Sequence, residues 1–217
     1  MISSAPAPKI PPDDVVDVWC VPLDLPAARL HGFTAALDDD ERRQWARMRV
    51  GGDQWAASRA ARRAVLASYL GVPASSLRFV TDALGKPRLA DSPALHFNAS
   101  ARGGMAVIAV AADRAVGVDV ECEQTLPLTT EVLEEMLTRD EQARIASTPA
   151  GERRHAFSEA WTRHEAVRKA LGLALEDPLP VVADVATRPV SAPEGYAVSV
   201  AAEGRWSVRE RDFGSLA

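Results

Sequence analysis

The sequence predicts an α+β protein made of two similar halves, each a small, mainly antiparallel sheet packed by helices. The order of strand-like and helix-like segments runs through the chain twice, although no residue-level repeat joins the two copies. Helices packed on one face of antiparallel strands are typical of the α+β class. The 217 residues are 47% hydrophobic, which is enough for one large core or two small ones.

The first half is expected to span residues 15–114, after a flexible N-terminal arm at 1–14 that is rich in Pro, Ala and Ser. An alternating, β-branched segment at 15–23 predicts a strand. Helical periodicity follows at 38–48, which opens with acidic residues, and at 53–71, which is rich in Ala and ends on a glycine. Turn residues then separate four strand-like segments, at 77–81, 94–100, 105–112 and 115–121.

The second half, residues 115–217, repeats this order loosely. Its helical patterns lie at 129–137, 139–147 and 151–173. Its strand-like segments lie at 181–186, 196–203 and 205–211.

Composition excludes several classes of function. The net charge of −5 argues against a nucleic-acid or membrane-surface binder by bulk electrostatics, and no apolar run is long enough to span a bilayer. The N-terminus lacks the apolar core of a signal peptide. Cys20 and Cys122 form neither a CxxC pair nor a metal-binding spacing, so we expect two free thiols in a cytoplasmic protein.

The segment GVDVE contains two candidate metal ligands. Side chains alternate along a strand, so Asp119 and Glu121 share one face while Val118 and Val120 point into the core. Neighbouring carboxylates repel each other unless a cation or a basic group lies between them, and oxygen ligands of this kind suit Mg²⁺. The alternative is a solvent-exposed strand edge, where charged residues usually lie.

The helical segment FSEAWTRHEAVRKALG, residues 157–172, contains a third candidate acid. Glu165 and Lys169 are four residues apart, which is the spacing of an exposed helix ion pair worth about 0.2–0.5 kcal/mol. Glu165 would instead be a third ligand if it faced Asp119 and Glu121. Spacing alone favours the simple ion pair.

Four motifs occur together and in order: the turn GKP, then FNASARGG, then GVDVE, then WTRHEAVRKALG. They resemble the signatures of the Sfp-type 4′-phosphopantetheinyl transferases, over residues 15–185. The resemblance implies a pseudo-dimer with the active site between its halves. It also implies transfer of the 4′-phosphopantetheine arm of coenzyme A to a serine of an acyl or peptidyl carrier protein, with release of 3′,5′-ADP. Since one chain supplies both halves, we expect a monomer.

The resemblance also implies roles for the acidic residues. Asp119, Glu121 and Glu165 would bind Mg²⁺, for which Mn²⁺ is the nearest substitute. A divalent ion neutralises charge as the pyrophosphate bond breaks. Glu165, or a water that it orients, would be the base for the carrier serine, with Asp119 beside it. Lys169 would donate to a phosphate oxygen and stabilise the leaving group.

Coenzyme A would be held by basic and polar residues in the matching motifs. Lys86 and Pro87 would lie beside the nucleotide, and Ser100 beside the 3′-phosphate. Arginines on the first-half helices would add to the grip on the anion; we favour Arg47 over Arg59 and Arg63, with surface positions as the alternative for each. The full predicted set is Arg47, Lys86, Pro87, Ser100, Arg102, His164 and Lys169.

Three positions depart from the family pattern. Ala101 replaces a histidine, for which the fork of Arg102 would substitute, although neighbouring strand residues face opposite ways. His164 replaces a lysine. Because histidine is only partly cationic near neutral pH, we expect weaker phosphate binding and a rate that falls as His164 deprotonates. Ala174 replaces a glycine.

The carrier protein would dock on residues 126–145, where Leu133, Met136 and Leu137 are spaced for one helix face. The alternative is that these residues pack on the core of the second half. Two other functions remain open: a diverged homologue that binds a carrier protein or a coenzyme A-like ligand without transfer, and a generic Mg²⁺ phosphohydrolase. The intact acids argue against the former, and the ordered motifs argue against the latter. The resemblance implies a carrier of fatty acid, polyketide or non-ribosomal peptide synthesis.

Overall fold

A computed structural model describes residues 9–126, 129, 137–174, 177 and 184–216. Its α-helices are α1 (Ala27–Thr34), α2 (Asp39–Arg47), α3 (Gly52–Leu70), α4 (Arg139–Ser147) and α5 (Arg153–Leu171). Short 3-10 turns lie at Ala74–Ser76 and Phe213–Leu216. No helix in these ranges has the length and apolar character needed to cross a membrane.

The described strands form two larger sheets and a hairpin. The strands are β1 (Val15–Pro22), β2 (Phe79–Thr81), β3 (Pro87–Leu89), β4 (Leu95–Arg102), β5 (Met105–Ala112), β6 (Val116–Cys122), β7 (Val185–Pro189), β8 (Tyr196–Glu203) and β9 (Ser207–Asp212). The first sheet has the order β4-β5-β1-β9, and the second has the order β6-β8-β7. All pairs are antiparallel except β1 with β9, which is parallel. The mixed α+β prediction is therefore confirmed.

The helices of the two predicted halves share lengths and capping motifs. Both α3 and α5 have 19 residues and end at a left-handed glycine, where an L side chain would be strained. Both α2 and α4 have nine residues and begin with a capping box, in which the cap side chain and the third-residue glutamate satisfy each other's backbone N–H groups. This matches the predicted similarity of the halves, while the pseudo-dimer itself stays a prediction.

The third-residue glutamates also bind equivalent side chains. Glu41 of α2 accepts from Arg62 and Arg63, which are the eleventh and twelfth residues of α3. Glu141 of α4 contacts the eleventh and twelfth residues of α5, which are Arg163 and His164. Each short helix is thereby tied to the long helix that follows it.

Apolar side chains form a core between the two sheets and a second core under α3. Alternate residues of β1 and β5, such as Val18 and Val107, pack against Val118 and Val200 from the second sheet. The other face of the first sheet packs on α3. Since Val118 lies between the sheets, its neighbours Asp119 and Glu121 point the other way, as predicted.

Strand β9 belongs to the second half of the sequence but pairs with the first sheet. Its Arg209 donates two hydrogen bonds, of 2.6 and 3.0 Å, to Asp17 of β1, whose side chain is fully buried. The hydroxyl of Tyr69 donates to the same carboxylate at 2.5 Å and accepts from the indole of Trp19. Strand β9 therefore neutralises a charge inside the first half. The predicted boundary at residues 114 and 115 remains a prediction.

Most predicted elements are present with shifted ends, and α1 and β3 were missed. A strand lies at Val185–Pro189 rather than 181–186, and residues 181–183 fall outside the described part. Within the predicted helix at 129–137, only residues 129 and 137 are described. Residues 1–8 of the predicted arm also fall outside it. Both cysteines are free, as expected.

Candidate active site

Asp119 and Glu121 lie on β6, facing α5, and are 3% and 6% exposed. The alternative of a solvent-exposed strand edge is therefore excluded for these two residues, because α5 covers this face. Neighbouring Asn98 of β4 accepts a hydrogen bond of 2.9 Å from the backbone N–H of Val118, which holds β6 against the first sheet. The two acids thus lie on β6 where it meets β4 of the first sheet.

Gly117 determines how closely α5 approaches β6. A Cβ atom at this position would overlap the carbonyl oxygen of Ala166 and the backbone nitrogen of Ala170, and would lie 2.9 Å from the carbonyl carbon of Lys169. The glycine of GVDVE therefore permits contact between strand and helix backbones. This contact brings the last turns of α5 to the two acids.

Asp119 forms hydrogen bonds with side chains of two other elements, β4 and α5. Its Oδ1 accepts from Ser100 Oγ of β4 at 2.9 Å and from Lys169 Nζ of α5 at 2.5 Å. Lys169 also donates to Ser100 Oγ at 3.2 Å. Lys169 thus pairs with Asp119 across elements, which the spacing argument for a pair with Glu165 did not anticipate.

Glu121 pairs with Arg102, whose Nε and Nη2 donate to its two carboxylate oxygens at 2.7 and 3.3 Å. Burial raises the pKa of Glu121, the hydrogen bond from Arg102 acts in the opposite direction, and the charge of Asp119 raises it further. The fork of Arg102 is therefore engaged with a carboxylate. Since this pair uses two of the five N–H groups of Arg102, its predicted role at a phosphate stays a prediction.

Glu165 lies near the other two acids. Burial raises the pKa of Glu165, and the charge of Asp119 is the next largest cause. Its Oε1 is buried and has no hydrogen-bond partner among the described residues, and Nε of Arg168 lies 3.9 Å away. A buried carboxylate oxygen without a hydrogen-bond partner raises the free energy of the folded protein. Binding a proton or a cation at this oxygen would therefore be favourable.

The donor chemistry of this region fits Mg²⁺. Asp119 Oδ2 and Glu165 Oε1 are both buried and lack hydrogen-bond partners within the described chain, and carboxylate oxygens are the ligands that Mg²⁺ prefers. As they stand, however, no three His, Cys, Asp or Glu side chains in the described ranges form a metal-binding group. Lys169 and Arg102 supply the positive charge beside the acids. The three-ligand set therefore stays a prediction.

Lys86 of the GKP turn connects the hairpin to the second half. Its Nζ donates to the backbone carbonyls of Val116 at 3.1 Å and of Lys169 at 2.5 Å. Burial lowers the pKa of Lys86, which Asp82 counteracts. These two hydrogen bonds hold α5 and β6 in place, and they use two of the three protons of the ammonium group. Its predicted nucleotide contact remains a prediction.

His164 faces α4. Its Nε2 lies 2.9 Å from Glu141 Oε2, and its Nδ1 is buried without a partner in the part of the chain that the structure describes. Burial alone would raise the pKa of Glu141, but hydrogen bonds from His164 and Thr138 lower it to about 2. The structure therefore gives His164 a carboxylate partner. Its predicted phosphate contact stays a prediction.

A cavity of about 540 Å³ opens next to Ser100, on the side of the first half. Pro87 and Ala101 line it, as do Arg59 and Arg63. Arg47, the favoured arginine, lies exposed at the last residue of α2 and is not among the lining residues. Arg59 and Arg63 therefore lie at the cavity, while Arg47 does not line it. The role of Arg47 in binding coenzyme A stays a prediction.

The predicted carrier-docking segment lies mostly outside the described residues, including Leu133 and Met136. Leu137 is described and is buried in a cluster with Phe157 and Ile145. For Leu137, the alternative of core packing is therefore the observed one.

Sequence reasoning missed two participants near the site. Arg62 lines the cavity beside Ser100 and pairs with Glu41. The Asp38-x-x-Glu41 pattern in the sequence predicts a capping box at the start of a helix. A glutamate in a capping box has a fixed side chain, so this pattern would have identified Glu41 as a held carboxylate. Its arginine partners depend on helix packing, for which the sequence contains no direct signal.

Comparison with known proteins assigns the family. Residues 115–214 match the model of the 4′-phosphopantetheinyl transferase superfamily. Over 164 residues the chain is 30% identical to the 4′-phosphopantetheinyl transferase HetI of Nostoc sp. (strain PCC 7120), covering 73% of this chain and 69% of that protein. The chain belongs to the 4′-phosphopantetheinyl transferase superfamily. The predicted family, and its class as a transferase enzyme, are confirmed.

Two further phosphopantetheinyl transferases are similar over shorter regions. Sfp of Bacillus subtilis (strain 168) is 29% identical over 117 residues, which cover 54% of this chain and 51% of Sfp. The transferase psf-1 of Bacillus pumilus is 31% identical over 110 residues, which cover 51% of this chain and 46% of psf-1. The chain thus aligns with only about half the length of these two relatives.

Proposed function

We propose that this protein transfers the 4′-phosphopantetheine arm of coenzyme A to a serine of an acyl or peptidyl carrier protein, with Mg²⁺ bound by Asp119, Glu121 and Glu165. The observation that carries the proposal is the cluster of Asp119, Ser100 and Lys169, which joins both halves. Glu165 lies within electrostatic reach of it. Family membership supplies the reaction type.

The proposed reaction is a single displacement at phosphorus. The serine oxygen of the carrier forms a bond to the β-phosphorus of coenzyme A, and the bond from that phosphorus to the bridging oxygen of 3′,5′-ADP breaks. The serine proton passes to Glu165, directly or through water. Burial raises the pKa of Glu165, which makes its carboxylate a better proton acceptor than an exposed one. Mg²⁺, when bound, neutralises charge on the pyrophosphate.

Lys169 would stabilise the leaving group. Its ammonium lies 2.5 Å from Asp119 and 3.2 Å from Ser100, so it is held at the junction of the halves. Preorganised cations stabilise charge that develops on phosphate oxygens, because they need little rearrangement in the transition state. Ser100 adds a hydroxyl beside the nucleotide.

Mass spectrometry of the carrier tests this proposal. The protein is incubated with coenzyme A, Mg²⁺ and an unmodified carrier domain, and the carrier should gain one phosphopantetheine arm. The Asp119→Ala variant should give no gain while its circular dichroism stays native. The matched control is Asp91→Ala, which removes an exposed carboxylate paired with Arg78 and should keep full activity.

The same assay separates the alternatives. A carrier that binds without gaining mass would support the homologue without transfer activity, which the engagement of Arg102 with Glu121 and of His164 with Glu141 makes a specific second candidate. Breakdown of coenzyme A without transfer would support a phosphohydrolase. Full transfer by the Asp119→Ala variant would contradict the assignment of Asp119 as a metal ligand.

A further inference from the structure

The three acids of the site differ in what their carboxylate oxygens contact. Asp119 Oδ2 and Glu165 Oε1 are buried and have no hydrogen-bond partner within the described ranges. In Glu121, both oxygens accept hydrogen bonds from Arg102, at 2.7 and 3.3 Å. Two of the acids therefore offer an unpaired oxygen to a cation, whereas the third is already paired with one.

Arg102 is placed so that it can hold Glu121 and also release it. It is the last residue of β4, beside the glycines of the following turn, and its side chain is 46% exposed. The side chain of Glu121 is only 8% exposed. The long arginine side chain can therefore turn its charge into solvent, whereas the carboxylate stays with the other acids.

Charge explains why Arg102 holds this carboxylate. Burial raises the pKa of Glu121, and the charge of Asp119 raises it further, so a neighbouring cation stabilises the ionised form. The pair also raises the pKa of Arg102, chiefly through the hydrogen bond to Glu121. A guanidinium that contacts both oxygens of a carboxylate makes one of the stronger polar contacts in proteins. Breaking this contact therefore costs free energy.

The other two cations near the site leave their acids partly available. Lys169 Nζ bonds to Oδ1 of Asp119 and not to Oδ2. Nε of Arg168 lies 3.9 Å from Oε1 of Glu165, which is too far for a hydrogen bond. Arg102 differs from both, because it contacts both oxygens of its carboxylate.

A divalent ion at this cluster would meet Arg102 as a competing cation. Carboxylate oxygens are the ligands that Mg²⁺ prefers, and those of Glu121 are hydrogen-bonded to the guanidinium. To bind the ion, Glu121 must give up hydrogen bonds with Arg102 or hold two cations that repel each other. In both cases Arg102 lowers the affinity of the cluster for the ion.

We propose that Arg102 competes with the divalent ion for Glu121 and thereby sets how tightly the acid cluster binds Mg²⁺. This inference rests on the proposed function, which assigns Asp119, Glu121 and Glu165 as metal ligands. It goes further by making the three ligands unequal. While Arg102 is present, Asp119 and Glu165 contribute more to the affinity for the ion than Glu121 does.

Binding of Mn²⁺, followed by electron paramagnetic resonance, tests the inference without coenzyme A or turnover, because the hydrated ion loses its sharp signal on binding. Arg102→Ala should bind Mn²⁺ about tenfold more tightly than the wild type, since no charge-assisted pair has to be broken first. The half-exposed guanidinium keeps the expected gain moderate. Arg102→Lys, which keeps the charge but loses the fork, should fall between.

A double-mutant cycle separates competition for Glu121 from general charge repulsion. In a Glu121→Gln background, Arg102→Ala should change the affinity for Mn²⁺ less than twofold, because no carboxylate is then left for the two cations to share. Equal gains in both backgrounds would mean that Arg102 acts through its charge alone, and would overturn the inference. In the presence of Arg102, Glu121→Gln should weaken binding less than Asp119→Asn does. The reverse order would contradict the inequality of the ligands.

The matched control is Arg78→Ala. Arg78 forms the same kind of two-bond pair with Asp91, at 2.7 and 3.1 Å, but both side chains are exposed and lie outside the acid cluster. This variant should keep the wild-type affinity for Mn²⁺. Circular dichroism checks folding, and if Arg102→Ala unfolds, Arg102→Gln has the same expected outcome. Unchanged or weaker Mn²⁺ binding by the folded Arg102 variant, or no binding by either it or the wild type, would refute the competition.

The transfer assay distinguishes this inference from the function on which it rests. The Mg²⁺ concentration that gives half-maximal transfer should be lower for Arg102→Ala than for the wild type. If no carrier gains mass but Arg102→Ala still tightens Mn²⁺ binding through Glu121, the transfer proposal fails and the competition stands. If transfer occurs and Arg102→Ala changes neither the Mn²⁺ affinity nor the Mg²⁺ requirement, the Arg102 assignment fails alone.

Discussion

Lys169 is the residue in which the polar contacts of the site converge. Its ammonium contacts Asp119 and Ser100, and its own carbonyl accepts from Lys86. Because the side chain is already fixed before any ligand arrives, its contribution should appear mainly in the transition state rather than in substrate binding.

We therefore expect Lys169→Met to lower kcat for carrier modification about a hundredfold, with a much smaller change in KM for coenzyme A. Steady-state kinetics with varied coenzyme A measures both parameters. Lys9→Met removes an exposed lysine near the N-terminus and should behave as wild type. A variant with wild-type kcat would show that Lys169 only stabilises the fold.

The ionisation of Glu141 should make the stability of the fold depend on pH in the acidic range. Its pKa is lowered to about 2 in the folded protein by His164 and Thr138, against an ordinary value of 4.5. A lowered folded pKa contributes stability that is present above about pH 4.5 and lost as pH falls toward 2. Arg163 also donates to this carboxylate at 3.2 Å and reinforces the effect.

Urea unfolding of Glu141→Gln should therefore show its largest loss of stability, relative to wild type, at neutral pH, and almost none near pH 2. The exposed Glu194→Gln provides the matched control and should track the wild type at every pH. A loss that is the same at pH 7 and pH 3 would mean that Glu141 acts through packing and not through its charge.

Gly117 sets the contact between strand β6 and helix α5. A Cβ atom at 117 would overlap backbone atoms of α5, which cannot move aside as a flexible side chain would. The helix would have to shift away from the strand, and Glu165 and Lys169 would shift with it. The glycine therefore affects both stability and the site.

Gly117→Ala is expected to destabilise the fold by about 3 kcal/mol and to reduce transfer activity below detection. Chemical unfolding and the carrier assay measure the two effects. Gly151→Ala is the comparison and should be neutral, because no atom of the described chain lies within 4 Å of where its added Cβ would stand. An active, stable Gly117→Ala protein would contradict the observed helix–strand contact.

Local patterns in the sequence predicted the parts of the site that depend on local geometry. Alternation along GVDVE places Asp119 and Glu121 on one face, and this follows from strand geometry alone. The partner of Lys169 was not predictable, because Asp119 is fifty residues away and their contact requires the close approach at Gly117. The sequence could not decide between Arg47 and Arg59, because a residue's place around a cavity depends on how α2 and α3 pack.

At the scale of the whole molecule, β9 and the buried Asp17 connect the two parts of the sequence. Asp17 is 0% exposed, and its charge is met by Arg209 from β9 and by the hydroxyl of Tyr69. The parallel pairing of β1 and β9 was not predicted, since the strand patterns of the sequence do not encode which distant strands pair.

Arg209→Ala should destabilise the whole protein by about 2 kcal/mol, because Asp17 loses its main charge partner; the half-exposed arginine and the remaining Tyr69 keep this value moderate. In an Asp17→Asn background the same substitution should cost less than about 1 kcal/mol. A double-mutant cycle by urea unfolding measures the coupling. Additive losses would show that Arg209 and Asp17 act independently.

The position of β9 in the first sheet also bears on how the chain folds as the ribosome makes it. Residues 15–112 can emerge and collapse early, but their sheet lacks an edge strand until Ser207–Asp212 has left the exit tunnel. N-terminal domains usually fold first during synthesis. Here the order is reversed for one strand, so the first sheet is completed only after residues 207–212 have been translated.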